Sequence, residues 1–216
     1  MKAVIIGATG LTGSLLIEKI SSDRRFDEII AFVRKIPEKR GNSLILKTIS
    51  FNEIEKEKFK ADAAFTCLGT TIKTAGSREK FREVDLTYNL SFARACRKNG
   101  VNRFILLSSL GADPSSGIFY NRIKGELEEA ITALDFEYLS IIRPSLLEGP
   151  RGEWRTGEFI ARKLMKVFNP LLVGTLRKYR SVSIDALTKV MINEAFREEP
   201  GVKIIENDKI LSSGRS

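Results

Sequence analysis

Tyr120 and Lys124 stand four residues apart, and Ser109 precedes them at the end of an apolar run. On a helix, that spacing puts the phenol and the ammonium on one face about one turn apart. An ammonium beside a phenol stabilises phenolate and lowers a pKa that starts at about 10. A phenol tuned in this way can give a proton to a carbonyl oxygen or take one from an alcohol. A serine hydroxyl beside it can hydrogen-bond the same oxygen as charge builds there. Tyr-x-x-x-Lys alone also describes a core-edge aromatic next to a solvated lysine. The order along the chain gives the pair its meaning: a glycine turn, a basic strand end, Ser109, then Tyr120 and Lys124.

The glycine turn lies in the first thirteen residues, MKAVIIGATGLTG. Ala3 to Ile6 is an unbroken apolar run, as expected of a strand buried on both faces of a parallel sheet. Gly7, Gly10 and Gly13 follow at three-residue spacing, and a helix opens behind them. The free N–H groups and positive dipole end of that helix suit a phosphate. Gly7 allows the tight turn, Gly10 lets backbone approach a pyrophosphate, and Gly13 lets helix and strand pack closely. The spacing is G-x-x-G-x-x-G, not the better-known G-x-G-x-x-G, so strand and helix context carry the reading of nucleotide binding. A second strand, Ile29 to Val33, ends in Arg34 and Lys35, with no acid until Glu38. A carboxylate at that end favours NAD, whereas an arginine can pair with a 2′-phosphate. The expected cofactor is therefore NADP(H).

Composition narrows the field. The chain has 216 residues, 43% hydrophobic and 29% charged, with a net charge of +9 and no histidine. Without histidine there is no Ser-His-Asp or Cys-His catalysis, and a metal site is not expected. Basic residues are interleaved with acids, as in Glu53 to Lys58, and no nucleic-acid recognition motif is present; neither nucleic acid nor a membrane is an expected partner. No signal peptide or membrane-length apolar run is seen, and Cys67 and Cys96 read as buried free thiols, so a reducing cytoplasm is expected.

Strands alternate with helices from Met1 to Arg143: strands at Leu44–Ile49, Ala61–Cys67, Asn102–Leu107 and Tyr138–Ile142, a short helix at Asn52–Phe59, a long one at Arg78–Asn99, and another from Pro114 to Leu134. The pattern predicts an α/β, Rossmann-type doubly wound parallel sheet in a single domain over residues 1–216, with a nucleotide-binding core at 1–144 and a small C-terminal cap at 145–216. Residues Thr71 to Ser77 read as a loop over the site. Phe159 to Phe168 reads as an amphipathic cap helix, and Asp185 as the cap of a helix running to Arg197, before a last strand at Val202–Ile205.

GATGLTG, CLGTTIKTAG, LLSSLGAD, YNRIKGELE and RPSLLEGPRGEW together resemble the short-chain dehydrogenase/reductase superfamily. More narrowly, they resemble its atypical branch, that of the Tat-interactive protein and its bacterial relatives. The resemblance covers nearly the whole chain. It implies cofactor contacts from Thr9, Gly10, Leu11, Thr12, Arg34, Lys35, Leu68, Gly69, Tyr120, Lys124, Leu147 and Arg151, and catalytic places for Ser109, Tyr120 and Lys124. Ser109 and Tyr120 are closer in sequence than is usual there, so Ser108 stays open for the serine role. Asp85 falls where active members often keep an asparagine. The implied activity is hydride transfer from NADPH to a small carbonyl compound, or the reverse from an alcohol. The alternative is a non-catalytic NADP(H) sensor that binds a protein partner; a homodimer is also open.

Overall fold

The computed structural model describes residues 1–34, 44–148 and 179–213. Seven parallel strands form one sheet in the order β3-β2-β1-β4-β5-β6-β9. They are β1 (Lys2–Ile6), β2 (Glu28–Val33), β3 (Leu44–Thr48), β4 (Ala63–Thr66), β5 (Arg103–Leu107), β6 (Tyr138–Arg143) and β9 (Gly201–Glu206). The order reverses at β1, between β2 and β4, which makes the carboxyl ends of β1 and β4 the ligand-binding crevice of such a sheet.

The strand pleat divides the core. Ala3 and Ile5 of β1 face one layer, with α1 (Leu11–Ser22) and α6 (Ile184–Ala195) supplying Leu16, Ile20, Leu187 and Met191. Val4 and Ile6 face the other, with Phe81, Phe92, Ile123 and Leu127. Alternate side chains of a strand point to opposite faces, so a run with no polar break must be covered twice. Phe92, fully buried, lies between Phe32 and Phe104, with ring centroids 6.4 and 5.9 Å away. Each such ring removed from water contributes about 2–3 kcal/mol.

The long helix after β4 is one run in three parts: α3 (Arg78–Arg82), a π-helical segment (Glu83–Tyr88) and α4 (Asn89–Lys98). The next helix, α5 (Phe119–Thr132), starts later than the expected Pro114. Asp113 accepts from the Ser115 N–H and hydroxyl, and Ser116 accepts from the Ile118 N–H. These local bonds hold 113–118 in turns that compete with helix. α5 also presses on this turn: a Cβ on Gly125 would lie 2.1 Å from the Pro114 nitrogen.

Other expectations are corrected. Residues 72–75 are not loop but a one-turn helix, α2 (Ile72–Ala75), capped by Thr71. Asn52–Phe59 is reduced to a 3₁₀ turn at Phe51–Lys56. α6 is capped by Ser183, whose hydroxyl accepts from the Ala186 N–H at 3.1 Å; Asp185 instead pairs with Lys19 of α1 at 2.6 Å. The chain's end does not simply lie over the sheet. β9 pairs with β6 as the seventh strand, and α7 (Asn207–Ser213) follows it. A short parallel pair, β7 (Leu147–Glu148) with β8 (Val182–Ser183), flanks the crevice. The expected cap helix at Phe159–Phe168 lies outside the described residues.

Candidate active site

The β1–α1 turn is shaped by what its glycines lack. Gly7 has φ +77°, a left-handed conformation that disfavours side chains, and a Cβ there would lie 2.3 Å from the Cys67 carbonyl carbon. A Cβ on Gly13 would lie 2.2 Å from the Gly7 oxygen. The turn therefore sits directly against the end of β4, and helix against strand. Gly10, exposed, begins α1, with no side chain capping the helix and no acid in its first turn. Uncapped N–H groups and the helix dipole make this end attractive to an anion.

A cleft of about 1300 Å³ opens above these strand ends. Thr9, Gly10, Leu11 and Thr12 line it from the turn, Leu68 and Gly69 from the end of β4, and Ser108 and Ser109 from the end of β5. Tyr120, Lys124, Leu147 and Arg34 complete the expected set. Lys35 and Arg151 lie outside the described residues. Arg34 is exposed and has no ion-pair partner among the described residues. Gly7 and Gly13 are structural supports of the turn rather than part of the cleft surface.

Lys124 is buried, and its ammonium lies 2.8 Å from Oδ1 of Asp85, a residue of the π-helical segment. The other carboxylate oxygen accepts the Thr70 N–H at 2.8 Å. Burial works to lower the Lys124 pKa, but the charges of Asp85 and Tyr120 and the Asp85 contact outweigh it, so the pKa is raised. Tyr120, one turn earlier, is half-buried, with its ring centroid 6.0 Å from the ammonium and 5.7 Å from the Phe81 ring. Its hydroxyl has no hydrogen-bond partner among the described residues.

The two serines differ sharply. The Ser108 hydroxyl donates to Glu128, which is also held by Arg143 of β6 at 2.5 Å, and Arg143 reaches Glu206 at 3.0 Å. Among the described residues, the Ser109 hydroxyl makes only a long contact, 3.4 Å, to the Leu110 carbonyl. Cys67, which lines the cleft just past β4, is a free thiol that is half-buried rather than fully buried as expected; desolvation pushes its pKa up to about 12.

Sequence reasoning missed the parts that hold this wall in place. Glu128 had a usable signal, since it continues the four-residue step from Tyr120 and Lys124. Asn89 had none. Its buried amide accepts from the Thr66 hydroxyl and donates to the carbonyls of Leu68, Val84 and Asp85 at 2.9–3.3 Å.

An uncapped helix end, a switch-point cleft and a parallel seven-strand sheet define a dinucleotide-binding protein of the Rossmann class. Residues 7–163 match the family model described as NAD(P)H-binding, and the chain belongs to that family. It is 33% identical to protein HTATIP2 of Rattus norvegicus over 98% of this chain and 88% of that one. The expected kinship with the Tat-interactive branch therefore holds, and the chain is a nucleotide-binding protein of an oxidoreductase-like family. It is 36% identical to the mitochondrial protein FMP52 of Candida albicans over 71% of this chain and 70% of that one. Among solved structures, the oxidoreductase ylbE from Lactococcus lactis superposes with a TM-score of 0.64 at 22% identity, covering 100% of this chain and 98% of that one; this likeness shows the fold. The FMP52 relatives are named as mitochondrial, which overturns the expected cytoplasmic location. Free thiols fit any reducing compartment and do not choose between them.

Proposed function

We propose that this protein is an NADPH-dependent oxidoreductase that reduces a small carbonyl compound or, in reverse, oxidises an alcohol. One observation carries the reading: Tyr120 and Lys124 line the same cleft as the uncapped end of α1 and the exposed Arg34. The cofactor fits what is there. Gly7 and Gly13 let the turn close against β4 and α1, Thr9 to Thr12 offer donors to a pyrophosphate, Leu68, Gly69 and Leu147 offer a wall, and Arg34 offers a fork to a 2′-phosphate. Bound NADPH supplies hydride to the carbonyl carbon.

The chain's own residues manage the oxygen. The Tyr120 phenol gives its proton to that oxygen as the new C–H bond forms, leaving an alcohol and a phenolate that is reprotonated from solvent. The Lys124 ammonium stabilises the phenolate, and the Ser109 hydroxyl hydrogen-bonds the substrate oxygen. Ser109 is preferred to Ser108 because the Ser108 hydroxyl is already committed to Glu128. The names of the FMP52 relatives support a mitochondrial place of work.

NADPH consumption across a panel of aldehydes and ketones tests this. Tyr120→Phe should lower kcat by about 10²–10⁴ while leaving NADPH affinity nearly unchanged. Equal rates from both proteins would remove the acid. NADPH binding without turnover of any carbonyl would favour the sensor alternative.

A further inference from the structure

We propose that Asp85 is a positioning residue that seats the Lys124 ammonium, charged, in the wall of the cleft beside Tyr120. The inference deepens the oxidoreductase reading and rests on it for its meaning in catalysis.

Lys124 and Asp85 come from different helices and are both almost fully enclosed, with 5% and 1% of their side chains exposed. A buried ammonium without a partner is costly, and a four-carbon stem has many rotamers. The 2.8 Å contact settles both at once. The carboxylate is itself fixed twice, by the Thr70 N–H and by a helix that departs from α-geometry at this place. π-helical segments are rare and concentrate at functional sites, because the extra residue re-aims side chains. Here the cost to the helix is offset by Asn89, whose amide collects the Val84 and Asp85 carbonyls of the widened turn and ties them to Leu68. Gly69 leaves the space: a Cβ there would lie 3.3 Å from Oδ1 of Asp85 and 3.9 Å from the ammonium.

Among the described residues, the charged and titratable groups facing Lys124 are few. Asp85 faces it from the π-helical segment, and Tyr120 and Glu128 from its own helix. Glu128 is already held by Arg143 and Ser108, so its charge is largely spent. The loop after β4 contributes the Thr70 amide and Gly69, which carry no charge. Asp85 is therefore the group whose removal takes away the largest counterweight to burial. Without it, Lys124 should lose its proton at lower pH and its ammonium should leave the cleft wall.

The test follows the Lys124 amine by nitrogen-15 NMR in the full-length protein, assigned through bonds to its own backbone. In the wild type the ammonium should persist above the ordinary lysine value of about 10.4. In Asp85→Asn, which keeps the shape and an acceptor for Thr70, the midpoint should fall by about one unit or more. NADPH fluorescence titrations should show the pH at which binding weakens moving down with it. An unchanged amine midpoint in Asp85→Asn, or loss of stability with neither pH profile moved, would make the pair a mere staple and overturn the proposal. If the variant fails to fold, the wild-type titration decides alone: a midpoint at or below the ordinary lysine value overturns it. The amine titration needs no turnover. It can therefore fail while Tyr120→Phe still abolishes reduction, or hold while the oxidoreductase reading fails.

Discussion

The two walls of the cleft are built in opposite ways. The wall at β1–α1 is backbone: Gly10, a helix end with no side-chain cap, and main-chain donors, with Gly7 and Gly13 behind them letting the turn close. The wall at α5 is side chain: Tyr120, Lys124 and Asp85, with Glu128, Arg143 and Ser108 locked behind them. The first works by leaving space and N–H groups free. The second works by burying charge and compensating it. A change in the first wall should act through collision, and a change in the second through an orphaned charge.

The largest effect is expected from Lys124→Met. It strands the Asp85 carboxylate in a site almost closed to water, and unfolding by denaturant should show a loss of about 3–5 kcal/mol. Adding Asp85→Leu should restore much of that loss, because the uncompensated charge goes with it. If the single variant were as stable as wild type, the second wall would not depend on compensated charge.

Gly13→Ala comes next. Its Cβ must push the Gly7 oxygen from 2.2 Å, which should cost about 1–3 kcal/mol and weaken NADPH binding together. Gly10→Ala, whose Cβ would sit 3.3 Å from the same oxygen, should cost less stability. Equal costs at the two positions would show that collision with Gly7 is not what shapes this wall.

On the proposed pairing of Arg34 with a 2′-phosphate, Arg34→Ala should weaken NADPH about tenfold and leave NADH nearly unchanged. Fluorescence titration with both cofactors reads the difference, and parallel losses would move Arg34 out of the cofactor site.

The smallest effect is the pH dependence of stability. The Lys124 pKa is raised in the folded state, so the pair's contribution is complete below the free-lysine value of about 10.4 and is lost as pH rises through the higher folded value. Wild-type stability should therefore hold up to about pH 10 and fall above it, whereas its gap to Asp85→Asn should begin to close once pH passes the variant's lower lysine midpoint and vanish as pH passes the wild-type one. A gap that closed already at neutral pH would contradict an ammonium held by Asp85.

The first wall was largely legible in the sequence. Gly7 and Gly13 follow an apolar strand and open a helix, and only residues without a Cβ satisfy that geometry, so type and spacing betray the turn. Tyr120 and Lys124 were legible by the same local logic, being one helical turn apart. Asp85 was visible only as a departure from a resemblance. Asn89 was silent, because an asparagine within a helical pattern looks the same whether it faces water or braces a π-turn. The choice between Ser108 and Ser109 needed Glu128 and Arg143 in place. Asp185 shows the same limit. It looked like a helix cap, but Lys19 lay closer in space, and Ser183 took the cap.

By itself, the sequence determined the alternation of strand and helix, the parallel sheet, the phosphate-ready turn and the basic end of β2. These follow from backbone conformation and hydrophobic period, which neighbouring residues dictate. Only the tertiary structure decided that a lysine on one helix meets an aspartate on another, that β9 joins β6, and which serine hydroxyl stays available. Those outcomes depend on which distant groups are buried together, and burial is what turns a weak surface pair into one that must be satisfied.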